Sequence, residues 1–371
     1  MKMPSRHPGA GRRIGCIPSE GHPTMPASKP RILIYSAPFY PMVGGMERYA
    51  EDLASGLFEL GYQVELATRT PPGPESDAAR YPFPVTRISG AAALAGAMMR
   101  SQLTLFVGLT VFDVMLAVLL RRRIVLTHHI TYSLHGDKRR FSKGAVKRWL
   151  TGFFTNISVS HFLANRLAGR HMVIHNSYRD DLFVPGSAAR PEGSFAFVGR
   201  LVSDKGVDLL IRSFAKLYAE HHAVRLTIVG DGPERAALAQ LAASLGCIDA
   251  IAFEGSQPSE RVAQILSCHQ CQVVPSVSEE PFGIVALEGL GAGCEMIVTR
   301  RGGLPEAIGG FGWIADASVR GVYEAMKDVM AGTSRRREPA VSSFLQEHAR
   351  LAVATRYAEA ISGMLPGRTP A

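Results

Sequence analysis

Short apolar runs alternate along the chain with longer stretches in which apolar residues recur every three or four positions. The first unit predicts a strand over Arg31–Ser36, a glycine-containing loop, a helix over 47–60 and a second strand over Gln63–Thr68. Further short apolar runs predict strands at 85–88, 103–107 and 124–127. Alternation of this kind is typical of a parallel sheet covered by helices on both faces.

A second series of the same kind follows a stretch over 185–193 that is rich in Pro, Gly, Ser and Ala. Strands are predicted at 195–198, 225–229, 251–254, 272–275 and 296–299, with helices at 207–218, 234–245, 261–267 and 283–290. The sequence therefore predicts a disordered leader at 1–29, an N-terminal domain at 30–184, a linker at 185–193, a C-terminal domain at 194–341, and a closing helix with a tail at 342–371.

The run over 103–120 is the only segment that approaches the length of a membrane span. Asp113 lies in its middle, and a central aspartate costs about 2.5–3.5 kcal/mol on membrane insertion. We expect a buried strand and helix here, with a true span as the alternative.

Composition and charge narrow the class of protein. The chain has 371 residues, 46% of them hydrophobic, which suffices for two cores, and a formal net charge of +9. The positive charge favours phosphates, nucleotides, acidic lipids or nucleic acid as partners. Five cysteines at irregular spacing predict reduced thiols and a cytoplasmic location.

The loop at 41–47 carries the first candidate chemistry. Adjacent Gly44 and Gly45 allow a ligand close to the backbone, and the following helix presents free N–H groups to a phosphate. The spacing G-x-G-x-x-G and a P-loop lysine are both absent, which disfavours dinucleotide redox and ordinary ATPase chemistry. A plain tight turn remains the alternative.

Two further candidates follow strands of the second series. Arg200 and Lys205 lie where a strand ends, so they could hold a diphosphate, although such side chains are usually solvated. Glu280 lies just before a predicted helix and Glu288 about two turns along it. A carboxylate there can accept from sugar hydroxyls while the first helical N–H groups donate. Two glutamates on a helix are otherwise ordinary surface residues.

These motifs together resemble the family 4 retaining glycosyltransferases of the GT-B fold, over 31 to about 365. The matching segments are PMVGGMERYAEDLASGL, VGRLVSDKGVDLLIRSF, LTIVGDGPERAAL, VVPSVSEEPFGIVALEGL and GGLPEAI, in the family's order. Glu280 and Glu288 reproduce its E-x7-E element. The resemblance implies two doubly wound Rossmann-like domains that face a cleft, with a C-terminal helix packed back on the N-terminal domain.

The resemblance also implies roles for single residues. Gly44 and Gly45 would face the donor phosphates and sugar, Arg200 and Lys205 would hold the diphosphate, Glu280 would contact the hexose and Glu288 the ribose. Backbone contacts to the sugar would come from Phe282, Gly283 and Ile284. A histidine beside the transferred sugar maps to His128, with His129 in reserve; a structural histidine is the alternative.

No metal cofactor is expected. The chain has no aspartate pair where a metal-dependent transferase would hold its cation. A lone C-x2-C, formed by Cys268 and Cys271, is a poor zinc site and is interpreted as structural. Cationic side chains and a helix dipole would stabilise the leaving diphosphate instead.

The resulting hypothesis is transfer of a hexose from a UDP- or GDP-sugar to a glycan or lipid-linked acceptor with retention, in cell-surface polysaccharide or glycolipid synthesis. The basic and aromatic stretch over 121–154 suggests contact with an anionic membrane, on the inner face of the cytoplasmic membrane, with a solvated basic face as the alternative. A non-catalytic GT-B scaffold that binds a nucleotide sugar stays open as a second hypothesis. Nucleic-acid binding has no recognisable module.

Overall fold

The computed structural model describes residues 29–42, 44–130, 132, 143–187 and 189–365. Almost all of the predicted leader at 1–29 therefore lies outside the described residues. A first sheet has seven strands in the order β3-β2-β1-β4-β5-β6-β7. Its strands are β1 (Arg31–Ser36), β2 (Gln63–Thr68), β3 (Val85–Arg87), β4 (Leu103–Val107), β5 (Ile124–His128), β6 (Thr155–Ser158) and β7 (His171–Val173). Its helices are α1 (Gly45–Glu59), α2 (Asp77–Arg80), α3 (Ala91–Arg100), α4 (Val111–Leu119), α5 (Lys143–Thr151) and α6 (His161–Ala164).

A second sheet has six strands in the order β10-β9-β8-β11-β12-β13. Its strands are β8 (Ser194–Val198), β9 (Arg225–Val229), β10 (Ile251–Gly255), β11 (Cys271–Val274), β12 (Glu295–Thr299) and β13 (Trp313–Ala315). The helices that accompany it are α7 (Val207–Glu220), α8 (Arg235–Ser244), α9 (Ser259–Ser267), α10 (Ile284–Gly291), α11 (Leu304–Ala307) and α12 (Val319–Met330).

Every strand pair in both sheets is parallel, which confirms the predicted pair of doubly wound α/β domains. The strand order reverses between β1 and β4 in the first sheet and between β8 and β11 in the second. Ligands of such sheets bind beyond the carboxyl ends of the strands at this reversal. The glycine loop after β1 and the cation-bearing loop after β8 each begin at that point.

The apolar run at 103–120 forms β4, all of it buried, and α4, as predicted. Asp113 is 4% exposed inside this run. Its carboxylate accepts from the Tyr35 hydroxyl at 2.7 Å and from the Arg69 guanidinium at 2.6 Å. A buried charge is tolerated when it is paired and hydrogen-bonded. No described helix is long and apolar enough to cross a membrane.

The C-terminal segment returns to the first domain, as the predicted fold requires. It forms two helices, α13 (Ala340–Glu347) and α14 (Arg350–Ser362), where helical periodicity had predicted one. The N–H of Tyr178 donates to His348 O at this break. Tyr357 of α14 is fully buried, with its ring 6.1 Å from that of Tyr49 on α1. The C-terminal helix α14 therefore packs on α1, the helix that begins at the glycine loop.

Asp52 makes α1 sensitive to pH. It is buried under α14, and burial raises the pKa of its carboxyl from 3.8 to about 7, although Arg48 opposes the shift. A raised pKa means that the folded state favours the protonated acid, so its contribution to stability is lost as pH rises from about 4 to 7. We expect Asp52→Asn to be more stable than the wild type at pH 8, by at most about 4 kcal/mol.

Urea denaturation at pH 5 and pH 8 measures this effect. The difference in free energy of unfolding between the variant and the wild type should be larger at pH 8 than at pH 5. Glu359→Gln, which removes an exposed acid from α14, serves as the matched control and should change little. If Asp52→Asn raised the free energy of unfolding equally at pH 5 and pH 8, the raised pKa of Asp52 would be contradicted.

Candidate functional site

The glycine loop delivers the N-terminus of α1 to the cleft side of the first sheet. Gly44 is extended and directly precedes the helix, which begins at Gly45, two residues earlier than predicted. A Cβ placed on Gly45 would meet no heavy atom within 4 Å. A Cβ on Gly44 would lie 2.5 Å from Glu47 Oε2, so this carboxylate lies beside the helix N-terminus. The partial positive charge of a helix N-terminus favours an anion there.

Neighbouring strands bring two loops of the second domain together. β8 and β11 are hydrogen-bonded neighbours, so the loop after β8 and the loop after β11 leave the same edge of the sheet. Gly206, between Lys205 and α7, has φ +66°, and a Cβ there would lie 2.2 Å from the Pro275 carbonyl oxygen. This close approach sets the lysine beside the glutamate-bearing loop.

Lys205 and Glu280 form an ion pair. The lysine Nζ lies 2.5 Å from Glu280 Oε1, and the Ser276 hydroxyl donates to the same oxygen at 2.8 Å. Both side chains are partly exposed. The Arg200 side chain is exposed and makes no hydrogen bond or ion pair with any described residue. The site therefore presents one paired and one unpaired cation toward the cleft edge.

The start of α10 offers backbone donors. Gly283 caps the helix with φ +107°, and a Cβ there would lie 2.5 Å from Leu304 Cδ2. The first local hydrogen bond runs from Ala286 N–H to Gly283 O at 2.9 Å. Within the described chain, the N–H groups of Phe282, Gly283 and Ile284 have no protein acceptor. The Phe282 ring itself is buried and stacks on His175 at 5.2 Å, so only its backbone faces a ligand.

Glu288 is buried on α10, and its partner comes from the other domain. Arg48 of α1 reaches Glu288 Oε1 at 3.5 Å and donates to the Ser259 hydroxyl at 2.5 Å. Burial raises the pKa of Glu288, while the positive charges of Arg48 and Arg179 lower it. This contact sets the N-terminal part of α1 against α10. Sequence reasoning missed Arg48, although its place one turn after the glycine pair was a usable signal.

The two histidines after β5 differ in what they can contact. His128 is fully buried, with Nδ1 bonded to the Tyr132 hydroxyl at 3.0 Å and Nε2 to Asn156 Oδ1 at 2.8 Å. His129 bonds Thr127 through Nε2 and contacts the Tyr49 ring of α1 at a tilt of 50°, with no partner for Nδ1 among the described residues. Burial lowers the pKa of His128 to about 4 and that of His129 to about 3.

This geometry bears on the choice between the two histidines. Both ring nitrogens of His128 are hydrogen-bonded, and the contact with Asn156 joins β5 to β6, while a role for His128 beside the sugar stays a prediction. His129 retains one nitrogen and packs against the helix that follows the glycine pair. Both rings are neutral above pH 5, so either would act by hydrogen bonding and not as a charged acid. A role for His129 in transfer stays a prediction.

The structure thus brings Lys205 to Glu280, and Arg48 of the glycine-pair helix to Glu288. Arg200 and the open N–H groups at the start of α10 lie on loops at the same end of the second sheet. Cations, backbone donors and two carboxylates are the groups that a diphosphate and the hydroxyls of two sugars require. The His128 ring lies in a hydrogen-bonded core, and the Phe282 ring is buried against His175.

Comparison with known proteins identifies the family of this chain. Residues 43–178 match the model of Glycosyltransferase Family 4, and residues 181–340 match the model of Glycosyl transferases group 1. A D-inositol 3-phosphate glycosyltransferase of Mycobacteroides abscessus is 36% identical over 151 residues, which cover 37% of this chain and 33% of the relative. An uncharacterized glycosyltransferase of Methanocaldococcus jannaschii is 39% identical over 117 residues, covering 32% of this chain and 30% of the relative. The matched segments thus span about a third of these relatives.

Solved structures extend the likeness to the whole fold. HepE of Anabaena, in complex with UDP, superposes with a TM-score of 0.77 at 18% identity, covering 90% of this chain and all of that one. Sucrose-phosphate synthase of Thermosynechococcus elongatus gives a TM-score of 0.66 at 18% identity, covering 91% of this chain and 99% of that one. With two family models matched in succession and two parallel-sheet domains arranged as in these structures, the chain belongs to the group 1, family 4 glycosyltransferases of the GT-B fold.

Proposed function

We propose that the protein transfers a hexose from a UDP- or GDP-sugar to a glycan or lipid-linked acceptor. The observation that carries this is the Lys205–Glu280 pair beside the unpaired Arg200, at the strand-order reversal of the second sheet. Solved structures of the same fold support a nucleotide-sugar donor, since HepE of Anabaena has been solved with UDP, with UDP-glucose, and with UDP and glucose.

In this proposal the second domain supplies most of the donor contacts and the first domain meets the acceptor. Arg200 and Lys205 bind the diphosphate, Glu280 and the N–H groups from Phe282 to Ile284 hold the hexose, and Glu288 accepts from the ribose hydroxyls. The N-terminus of α1 at Gly44 and Gly45 faces the phosphates and sugar. The acceptor approaches along the first domain, and closure of the cleft excludes water.

In this proposal the transfer retains the anomeric configuration. The bond between the sugar anomeric carbon and the diphosphate oxygen breaks, and its electron pair leaves with the diphosphate. The acceptor hydroxyl oxygen bonds to that carbon on the same face and passes its proton to the departing phosphate. Arg200, Lys205 and the α10 N-terminus stabilise the growing negative charge, so this mechanism needs no metal cofactor.

A thermal-shift screen tests the donor assignment. UDP, GDP, ADP and their common sugar conjugates are each added to the purified protein. A ligand that binds the folded state alone raises the free energy of unfolding, by about 2.7 kcal/mol at 100 times Kd, and so raises Tm by an amount that grows with its affinity. We expect UDP, GDP or one of their sugar conjugates to raise Tm. Absence of any shift with all of them at millimolar concentration would contradict a nucleotide-sugar site.

A scaffold that binds the donor without transferring sugar is the second function to be tested. It shares the binding site, so the thermal shift does not separate it from the enzyme. Release of the nucleoside diphosphate from the stabilising donor, with or without an acceptor mixture, does separate them. The free Arg200 and the paired Lys205 favour the enzyme, because they lie where charge would develop in the reaction.

The acceptor side carries a surface suited to lipid. On α5 and the turn after it, Trp149 and Phe153 are 63% and 64% exposed and their rings meet at 4.7 Å. On α4, Phe112 and Leu119 are 66% and 79% exposed. Basic residues accompany them in the sequence, namely Arg121, Arg122, Arg123, Lys147 and Arg148, whereas Lys138, Arg139 and Arg140 lie outside the described residues. We propose that this side rests on an anionic membrane as a peripheral contact, on the inner face of the cytoplasmic membrane.

Co-sedimentation with vesicles measures this contact. We expect binding to vesicles that contain anionic lipid, and at least about tenfold weaker binding by the Trp149→Gln, Phe153→Gln double variant, since burying each ring contributes over 1 kcal/mol. Leu245→Gln, an exposed apolar position on the second domain, is the matched control and should bind as the wild type does. Equal binding to neutral and anionic vesicles would overturn the proposed contact with an anionic membrane.

A further inference from the structure

Two histidines and a glutamate meet where the two domains touch, behind the buried Phe282 ring. His161 begins α6 and His175 follows β7 in the first domain, while Glu306 lies on α11 of the second. One ligand atom from each side chain lies within 4.8 Å of the others. His175 Nε2 is 3.3 Å from Glu306 Oε2.

Hydrogen bonds around His175 occupy one of its two ring nitrogens. His348 Nδ1 donates to Phe344 O at 2.7 Å, and His348 Nε2 lies 3.4 Å from His175 Nδ1. His348 is 1% exposed, so this contact is buried. The other ring nitrogen of His175, Nε2, faces the Glu306 carboxylate at 3.3 Å.

A histidine ring nitrogen and a carboxylate oxygen are both ligand atoms for a transition-metal ion, and at this distance one ion can contact both. Two ligand atoms around tetrahedral zinc lie about 3.3–3.6 Å apart, because each Zn–N or Zn–O distance is about 2.0–2.2 Å. The 3.3 Å between His175 Nε2 and Glu306 Oε2 falls at the short end of this range. His161 is exposed, so its ring can turn to supply the third ligand.

Hydrogen bonds from neighbouring groups hold Glu306 and His175 in place, as outer partners do for metal ligands. Glu306 accepts from the N–H groups of His161 at 2.7 Å and Phe162 at 2.8 Å, which orients the carboxylate and leaves further lone pairs. The second ring nitrogen of His175 contacts His348, which is such an outer partner. His161 also lines an open pocket of about 380 Å³.

We propose that His161, His175 and Glu306 bind a divalent transition-metal ion, of which zinc is the best match, with water as the fourth ligand. The ion would join the domains, since its ligands come from both. It would also restrain the segment that carries the sugar-binding N–H groups, because Ser160 donates to Pro281 O and Phe282 stacks on His175. The ion is structural or regulatory and takes no part in sugar transfer.

Zinc binding to the full chain, measured by equilibrium dialysis and by Tm, tests the proposal. Cys16→Ser and Cys268→Ser are introduced first, because Cys268 is exposed, Cys16 lies outside the described residues, and thiolates bind zinc. We expect one zinc per chain and a higher Tm with zinc. His161→Ala should weaken binding by about 100-fold or more, since losing even an outer partner costs about 10–100-fold.

Control variants make the outcome decisive. His161 is exposed and its ring makes no hydrogen bond with a described residue, so His161→Ala should fold as the parent does. His221→Ala removes an exposed histidine elsewhere and should bind zinc as the parent does. With Co²⁺ in place of zinc, visible absorption of a four-coordinate site should appear in the parent and disappear in His161→Ala. Unchanged zinc affinity in His161→Ala, or no bound zinc in the parent, would overturn the proposal and leave a protonated His175 paired with Glu306.

Discussion

Replacing Arg200 and Lys205 together with alanine should lower kcat on the true donor by about 10³-fold or more. Removing one group that stabilises developing negative charge costs about 10²–10³-fold, and two cations that serve one diphosphate are expected to act together. Arg200 is unpaired among the described residues, and Lys205 has only Glu280 as its ion partner. Initial-rate kinetics with the donor identified by thermal shift measures the loss.

The matched control for this pair lies on the next helix. Arg212→Ala with Lys216→Ala removes the same two charges from exposed positions on α7, at the same cost in net charge. Its kcat should stay within a factor of a few of the wild type. Near wild-type turnover of the Arg200, Lys205 double variant, with Tm unchanged, would show that charge stabilisation at this edge is not the main catalytic contribution.

Tyr357→Ala should destabilise the protein by about 3–5 kcal/mol, the cost of removing a large aromatic ring from a core. The ring is fully buried between α14 and the first domain, within reach of Tyr49 and beside Val353 and Ile361. Because α14 follows the second domain in sequence and packs on the first, its release would also free α1. We therefore expect weaker donor binding together with a lower free energy of unfolding.

Leu351→Ala is the matched control on the same helix. It also shortens an apolar side chain, but Leu351 is 46% exposed, so the expected change in urea denaturation is below about 0.5 kcal/mol. Equal effects of Leu351→Ala and Tyr357→Ala would mean that α14 contributes through helix propensity and not through its buried face.

The local pattern of apolar and polar residues was enough to predict most strands of the fold. The runs that became β1, β2, β4 and β9 were predicted at their observed bounds, because buried parallel strands are continuous apolar segments. Three shorter strands were not predicted, because their sequences are too short or too polar to form a recognisable apolar run. They are β6 (TNIS), β7 (HMV) and β13 (WIA). Their place in a sheet follows from neighbours that sequence order does not reveal.

The residues proposed for the donor site divide in the same way. Ordered motifs in the sequence predicted Gly44, Gly45, Arg200, Lys205, Glu280 and Glu288, since each motif is a loop or helix start next to its own strand. Arg48 was missed, because its partners Glu288 and Ser259 lie more than 200 positions away. His128 was preferred over His129 because a sequence shows no hydrogen-bond partners, and Tyr132 and Asn156 occupy both nitrogens of His128.

The sequence by itself determined that this protein has two parallel α/β domains, which strand follows which, and which segments can meet a nucleotide sugar. These properties depend on periodicity and on residues close together in the chain. The tertiary structure alone decided which groups pair across the domains: Arg48 with Glu288, Glu306 with the start of α6, and Tyr357 with α1. Such pairs form only when the chain has brought distant segments within a few ångströms, and no local pattern records that distance.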